Sequence, residues 1–232
     1  LPSLRDHNTF GSMKELHKDI ALYGYYGGIR LLKASIKKFY EFVSENGLSI
    51  EEKNFTMRYR SSIPNRLGLA GSSAIITAAM RALCLFYEVR IRPDHFANLV
   101  LAVEKEELGI PAGLQDRVAQ SYNHPVYMDF NRAHMEKYHV GKYTPIEIPD
   151  DLHIYIAYRT DLAEGSEILH SRLRQDFEKG KPKVLNAMKE WASLTDRVRE
   201  ALEKRDYSEI PALLNRNFDL RCEVCSEAVS RK

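Results

Sequence analysis

Two segments of the 232-residue sequence carry residues whose types and spacing suit phosphate chemistry. The first, residues 63–80 (IPNRLGLAGSSAIITAAM), is predicted to run from a strand through a glycine loop into a helix that begins at Ser72 and Ser73. Gly68 and Gly71 let the backbone approach an anion closely, and the unpaired first N–H groups of the helix point toward that anion. Either seryl hydroxyl is also a possible Mg²⁺ ligand. The loop is neither a Walker loop nor GxGxxG, and a serine-capped helix after a glycine turn is the structural alternative.

The second segment, residues 102–120 (AVEKEELGIPAGLQDRVAQ), places one carboxylate on each side of a Gly/Pro loop. Glu104 closes one predicted helix and Asp116 opens the next, 116 − 104 = 12 residues later. Such a pair can hold Mg²⁺ with one group and receive or orient a substrate hydroxyl with the other, which favours phosphoryl transfer. Because a helix N-terminus favours ionised Asp116, this residue is either a weak base or mainly a positioning charge. A pair of surface helix ends is the alternative.

The elements that must position these residues follow from hydrophobic periodicity. Apolar residues three or four apart predict helices over residues 29–43, 72–87, 93–108, 116–122 and 183–204, and another that Asp206 caps. Alternation predicts strands over residues 55–60, 126–130 and 152–159. The inward face of the longest helix is predicted to comprise Leu185, Met188, Ala192, Thr195, Val198 and Leu202. Neither period is sustained over residues 132–151, which predicts a boundary between two subdomains there.

Charge and composition exclude several classes of protein. Lys and Arg total 34 against 32 Asp and Glu, a formal charge of +2, and the two signs are interleaved, which disfavours a nucleic-acid binder. With 44% hydrophobic and 28% charged residues the chain is typical of a globular protein rather than a disordered one. Apolar stretches such as residues 99–103 fall far short of the roughly 20 residues of a membrane span. The polar start without Met favours truncation over a signal sequence.

Three cysteines indicate a reducing compartment, so we expect a cytoplasmic protein. Cys222 and Cys225 form a CxxC, but a structural zinc site needs four ligands and no second Cys/His pair has suitable spacing. We therefore interpret them as neighbours on a helix.

The two chemical segments resemble motifs of the GHMP kinases. GLAGSSA is similar to the nucleotide-phosphate motif of that family, and EKEELGIPAGLQD resembles its Glu…GxPxGxxD segment, in the same order and spacing. The resemblance implies that Mg²⁺ is held by Glu104 and a seryl hydroxyl, assigned to Ser73 with Ser72 left open, and that Asp116 is catalytic and adjoins the acceptor. It implies that the ATP phosphates are lined by Gly68, Leu69, Ala70, Gly71, Ser72, Ser73 and Ala74.

The family resemblance also implies an α+β fold. Residues 1–145 would form a ribosomal protein S5 domain 2-like, ATP-binding N-terminal domain that is incomplete at its start. Residues 146–232 would open a ferredoxin-like α+β C-terminal domain that is incomplete at its end. The family's N-terminal acceptor segment and C-terminal glycine-rich motif are not in the sequence, so we expect a piece that exposes core surface, and its activity alone is open.

Within the family, the resemblance extends to the plant-type glucuronokinases. GYYGGIRLL, ELGIPAGLQDRVAQ, YMDF, YTP and NRNFDLR are similar to their stretches in the same order. This implies that ATP and D-glucuronate give ADP and D-glucuronate 1-phosphate. A sugar acid needs a cation to bind its carboxylate; Arg117, beside Asp116, is the first candidate, and Arg172, Arg174 and Arg221 are further candidates. For these three, solvated charges on helices are the structural alternative. The implied partners are ATP and a sugar acid, without nucleic acid or membrane, for a monomer or weak homodimer.

Three alternatives remain. The first is a non-catalytic sugar sensor. The presence of Ser73, Glu104 and Asp116 argues against a sensor, because a protein without turnover does not need to keep catalytic and metal-binding residues. The second is a kinase for another acceptor, such as galacturonate, fucose or a heptose. The third is a scaffold without a small-molecule site, which Mg-ATP would not stabilise thermally.

Overall fold

The computed structural model describes residues 8–25, 29–64, 68–158 and 167–225 of the chain. The chain divides into two compact units, Leu1–Pro145 and Ile146–Lys232. The described residues combine α-helices, one π-helical turn and a small antiparallel sheet, which confirms the α+β class. The assignment of the two units to an N-terminal and a C-terminal GHMP kinase domain stays a prediction.

The helices of the first unit surround one apolar core. They are α1 (Met13–Tyr23), α2 (Arg30–Glu45), α3 (Gly71–Phe86), α4 (Pro93–Ala102), α5 (Leu114–Tyr122) and α6 (Arg132–Tyr138). The apolar faces predicted for α2, α3 and α4 are the buried ones, and they supply Leu32, Ile36, Phe39, Val43, Ile76, Met80, Leu83, Phe96 and Val100. Val103, predicted on the face of α4, is buried just after that helix ends, and Tyr87, predicted on the face of α3, is half-buried. Periodicity located these helices because a single apolar stripe decides which side of a helix is buried.

Helix α1 was not predicted, although its start carries a recognisable signal. The Ser12 hydroxyl accepts a hydrogen bond from the Glu15 backbone N–H at 3.1 Å, and the Glu15 carboxylate accepts one from the Gly11 N–H at 2.8 Å. This reciprocal arrangement resembles a capping box, whose Ser-x-x-Glu pattern stands in the sequence. Leu16 and Ile20, one turn apart, then bury the helix against the core.

The sheet consists of β1 (Val126–Asp129) and β2 (Lys142–Pro145), which pair antiparallel with Val126 opposite Pro145. β1 lies in a predicted strand, whereas β2 was not predicted. The side chains of β2 are mostly exposed, so its sequence lacks the alternation of apolar and polar residues that predicts a half-buried strand.

The other two predicted strands are wrong. Residues 55–60 and 152–158 form no regular secondary structure, and no described segment pairs with either; residue 159 lies outside the described residues. Phe55 and Met57 pack against the core, so their alternation reports burial without strand pairing. Ile154 and Ile156 are 63% and 77% exposed. A strand is stabilised by hydrogen bonds to a neighbour, which a local alternation cannot specify.

The described residues of the second unit form three helices, α7 (Glu167–Glu178), α8 (Pro182–Lys204) and α9 (Ile210–Val224). Helices α8 and α9 pack through Ala187, Leu194, Leu213 and Leu220. The face predicted for α8 is wrong by about one position, because Val184, Ala187 and Leu194 are buried while Ala192 and Thr195 are exposed. Two apolar stripes lie side by side on this helix, and packing against α9 selects one of them.

The predicted capping role of Asp206 is also wrong, since α9 begins at Ile210 and the Asp206 carboxylate instead accepts hydrogen bonds from Ser208. Cys222 lies in α9 and Cys225 at its end, and no disulfide joins any of the three cysteines, Cys84 included. In the part of the chain that the structure describes, no helix has the length and apolar character needed to cross a membrane.

Candidate phosphate and carboxylate site

The start of α3 presents free backbone donors at the end of the glycine loop. Gly68 has a φ of 70° and Ala70, the residue before the helix, has a φ of 52°. Two residues of the loop therefore have the left-handed backbone conformation just before α3 begins. No described side chain caps the first N–H groups of α3, which leaves them available to an anion. Residues 65–67 of the predicted loop lie outside the described residues.

The two serines of the loop have different partners. The Ser72 hydroxyl donates a hydrogen bond to Glu104 Oε1 at 2.8 Å. The Ser73 hydroxyl is buried and donates to the Ala70 carbonyl oxygen at 3.0 Å. The structure therefore brings Ser72, and not Ser73, to the predicted metal carboxylate, and neither serine caps the helix.

Glu104 lies in a π-helical turn, Val103–Glu107, which continues α4. Its side chain is fully buried. Arg117 Nε donates to Glu104 Oε2 at 2.6 Å, and a terminal nitrogen of the same guanidinium also contacts Oε2. The carboxylate is thus held between a hydroxyl and a guanidinium.

Asp116 and Arg117 stand side by side in the first turn of α5. Arg117 Nη1 donates to Asp116 Oδ2 at 3.2 Å, while the Asp116 side chain remains 54% exposed. Ser72, Glu104, Asp116 and Arg117, called here the carboxylate site, have a formal charge of −1, from −1 − 1 + 1. An exposed carboxylate beside a net negative cluster can both attract a cation and accept a hydroxyl proton or hydrogen bond.

Gln120, which the sequence analysis missed, ties α5 to the glycine loop. Its amide nitrogen donates to the Ala70 carbonyl at 3.3 Å, and its amide oxygen accepts from the Thr77 hydroxyl at 3.2 Å. Arg81 of α3 donates to the backbone carbonyl oxygens of Gln120 and Ser121. The signal for Gln120 is its spacing, three or four residues after Arg117 and Asp116, which places it on the same side of α5.

A second charged network anchors the π-helical turn from α2. Lys37 Nζ lies 2.7 and 2.6 Å from the two Glu107 oxygens, and the Tyr25 hydroxyl donates to Glu107 Oε2 at 2.6 Å. Burial and the Glu107 carboxylate raise the pKa of Tyr25 far above its usual value. Desolvation lowers the pKa of Lys37, but its bonds to Glu107 and Glu41 outweigh this effect and raise it overall. Both groups therefore stay protonated and hold the turn.

The remaining residues predicted to bind the acceptor lie in the second unit. Arg174 and Arg221 are exposed on α7 and α9, and the Arg172 side chain lies outside the described residues. Their assignment stays a prediction.

The oxygen donors of the site fit Mg²⁺ better than a metal that needs a protein cage. No group of three or more His, Cys, Asp or Glu side chains among the described residues is placed to hold a metal ion. Ser72 and Glu104 nevertheless offer two oxygens 2.8 Å apart beside the free α3 amides. Mg²⁺ is commonly bound by one or two protein oxygens and completed by water and substrate phosphates.

Comparison with known proteins places this site in a family. Residues 30–124 match the model of the GHMP kinases N terminal domain. Two proteins of Arabidopsis thaliana, named probable glucuronokinase 2 and glucuronokinase 1, are 44% and 42% identical over 91% of this chain. A Campylobacter jejuni protein named D-glycero-alpha-D-manno-heptose 7-phosphate kinase is 24% identical over 76% of the chain and 51% of its own length.

The chain spans 58% and 59% of the lengths of the two Arabidopsis proteins. No solved structure matches it significantly. The matched residues 30–124 include the described part of the glycine loop and all four residues of the carboxylate site. Residues 30–124 therefore belong to the family of GHMP kinases N terminal domains, and the chain is similar to two glucuronokinases along most of its length.

Proposed function

We propose that this chain is the nucleotide-binding and catalytic part of an ATP-dependent sugar-1-kinase that phosphorylates D-glucuronate. The observation that carries the proposal is the series of contacts that links Ser72, at the uncapped start of α3, to Glu104 and, through Arg117, to Asp116. The 42–44% identity to proteins named glucuronokinase supports the acceptor, compared with 24% to the heptose 7-phosphate kinase.

We propose that the ATP phosphates bind at the glycine loop and the first turn of α3. The left-handed Gly68 and the absence of a Cβ at Gly71 allow close backbone approach, and the α3 amides supply hydrogen bonds and the positive end of a helix dipole. The proposed lining residues are Gly68, Leu69, Ala70, Gly71, Ser72, Ser73 and Ala74.

Ser72 and Glu104 are the residues that would hold Mg²⁺, with the nucleotide phosphates completing its coordination. The hydrogen bond from the Ser72 hydroxyl to Glu104 supports Ser72 as the ligand. The Ser73 hydroxyl instead donates to the Ala70 carbonyl oxygen. When bound, Mg²⁺ would supply the positive charge that neutralises the negative charge developing on the phosphates during transfer.

Asp116 is the residue proposed to act on the acceptor. Its exposed carboxylate can accept a hydrogen bond from the anomeric hydroxyl and orient that oxygen toward the γ-phosphorus of ATP. A bond forms between the sugar oxygen and the γ-phosphorus, and the bond from this phosphorus to the β–γ bridging oxygen breaks. The hydroxyl proton goes to Asp116 or to water, so Asp116 acts as a base or as a positioning charge.

Arg117 was assigned to the sugar carboxylate, and that assignment remains a proposal. Its guanidinium contacts Glu104 and Asp116, so an acceptor carboxylate would share or compete for its donors. The other proposed properties are a cytoplasmic location, which the small number of cysteines and the absence of a disulfide among them support, and a monomer or weak homodimer that binds ATP and sugar acid but neither nucleic acid nor membrane.

A coupled assay of ADP release by the full-length protein tests the function, using D-glucuronate, galacturonate, fucose and a heptose as acceptors. We expect Mg²⁺-dependent turnover that is highest with D-glucuronate. Higher activity with another sugar would identify that sugar, instead of D-glucuronate, as the acceptor. Thermal stabilisation by Mg-ATP without turnover on any acceptor would indicate the sensor, and no stabilisation at all would indicate the scaffold.

A further inference from the structure

Both oxygens of the proposed metal carboxylate already have partners within the protein. Glu104 is fully buried, with Oε1 bonded to the Ser72 hydroxyl and Oε2 to Arg117. Arg117 is also nearly inaccessible, with 9% of its side chain exposed. This guanidinium is therefore a built-in positive charge at the position where a divalent cation would act.

We propose that Arg117 is the counter-cation of Glu104 and makes Mg²⁺ binding depend on the nucleotide. This inference rests on the proposed function, because it takes Ser72 and Glu104 as the Mg²⁺ ligands. Removing one member of a buried ion pair leaves an uncompensated charge, so Arg117 stabilises Glu104 when no divalent ion is present.

The charge of the site explains the dependence on nucleotide. The carboxylate site carries −1 with Arg117 and would carry −1 + 2 = +1 with Mg²⁺, so the bare ion gains little attraction and meets a like charge within a few ångströms. Nucleotide phosphates at the α3 start add the negative charge that makes the second cation favourable. The guanidinium thereby disfavours Mg²⁺ alone and permits Mg²⁺ with ATP.

The neutral variant Arg117→Met should reverse this preference. Without the guanidinium, Mg²⁺ becomes the available counter-charge for buried Glu104, so the apparent affinity for Mg²⁺ in the absence of nucleotide should rise by about tenfold or more. The melting temperature of the variant should therefore rise with MgCl₂ concentration, while the wild type responds weakly. Arg117→Lys keeps the positive charge and should respond as weakly as the wild type.

The experiment measures melting temperature against MgCl₂, with NaCl at matched ionic strength as the control and no nucleotide or sugar present. Four proteins are compared: the wild type, Arg117→Met, Arg117→Lys and the double variant Arg117→Met with Glu104→Gln, which removes the buried negative charge and should lose the response. If Arg117→Met fails to fold without Mg²⁺ but folds with it, the proposal is also supported. Arg117→Gln replaces Arg117→Met if the latter folds under neither condition.

An equal MgCl₂ response in the wild type and the neutral variant would overturn the proposal. So would an Arg117→Met variant that changes only the KM for D-glucuronate, which would assign Arg117 to the acceptor instead. The readout needs neither ATP nor turnover, so a protein without kinase activity that still shows the Mg²⁺ response would refute the proposed reaction and leave the role of Arg117 standing.

Discussion

Two carboxylates of one site lie in opposite environments. The Glu104 side chain is fully buried and paired, whereas the Asp116 side chain is 54% exposed and bonded to Arg117 at 3.2 Å. Replacing a buried, paired carboxylate destabilises the fold, because its cationic partner is left as a buried charge without a counter-charge. An exposed one can be altered with little effect on the fold, which makes Asp116 the better probe of chemistry.

Asp116→Asn should lower turnover rather than binding. The amide keeps the size of the side chain but cannot accept a proton or carry the positioning charge, so kcat should fall by about 10²-fold or more. The affinities for ATP and D-glucuronate should stay within a small factor. Steady-state kinetics of the full-length protein, with Glu106→Gln as the control for loss of a nearby exposed carboxylate, measure this. A normal kcat would remove Asp116 from the chemistry.

Substitution of Gly71 tests phosphate binding without disturbing the fold. A Cβ at this position would meet Ile63 Cγ2 at 3.6 Å, an ordinary contact, so the protein itself does not require glycine here. Gly71→Val should fold yet weaken ATP binding by about tenfold or more, because the added methyl groups occupy the space that close approach of the phosphates needs. Calorimetric titration with Mg-ATP measures the affinity, and Gly71→Ala gives the smallest added volume.

Unchanged ATP affinity in Gly71→Val would contradict the phosphate loop. Gly68 is unsuitable for the same test, since its φ of +70° would strain any side chain regardless of ligand.

At the scale of elements, the π-helical turn decides where Glu104 points. Val103 at its start is buried in the core, Glu104 enters the carboxylate site, and Glu107 pairs with Lys37 of α2. A π-helical turn changes the angular position of the residues after it, and such turns are frequent at functional sites. The bonds from Lys37 and Tyr25 hold Glu107, the last residue of this turn.

Lys37→Met should disturb the site through this turn. The Glu107 carboxylate, with 10% of its side chain exposed, would lose its principal cation, and we expect a loss of about 1–3 kcal/mol in the free energy of unfolding. The KM for Mg-ATP should rise because Glu104 is less well held. Urea denaturation and steady-state kinetics measure the two effects.

Lys38→Met is the matched control, since Lys38 lies next along α2 and bonds mainly to Glu106, whose side chain is 64% exposed. Exposed pairs contribute about 0–1 kcal/mol, so this variant should change little. Equal effects of the two substitutions would show that α2 charge in general, rather than the bond to Glu107, holds the turn.

At the scale of the whole molecule, a short apolar segment stands out on the surface of the second unit. Ile154, Tyr155 and Ile156 are 63%, 89% and 77% exposed, and no described strand pairs with them. Contiguous exposed apolar residues in an extended segment favour association between molecules.

Replacing Ile154 and Ile156 together by Thr should reduce aggregation of this chain without lowering its melting temperature, because these side chains contribute little to its core. Light scattering during heating and binding of a hydrophobic dye measure the change. Leu214→Thr, at an isolated exposed position, is the control and should have little effect. A double variant that aggregates equally would locate the association surface elsewhere.

Prediction from the sequence succeeded where the information is local. The buried faces of α2, α3 and α4 follow from a single apolar stripe. The roles assigned to the glycine loop and to the Glu104–Asp116 segment from residue type and order stay predictions. Prediction failed where a distant partner decides. Residues 55–60 alternate like a strand but pair with no described strand, and α8 has two apolar stripes between which α9 chooses.

The sequence by itself determined the buried faces of several helices, the resemblance to a family and the positions of the two segments proposed to carry the chemistry, because spacing along the chain expresses helical periodicity and short motifs. The α+β class followed from that resemblance. Tertiary structure alone decided that Ser72 rather than Ser73 bonds to Glu104, and that the Arg117 guanidinium donates hydrogen bonds to the same carboxylate. The partners lie 32 and 13 residues from Glu104 along the chain. Which side chains meet depends on the angle that a π-helical turn gives to one residue and on packing between α3 and α5, and neither is written in local sequence.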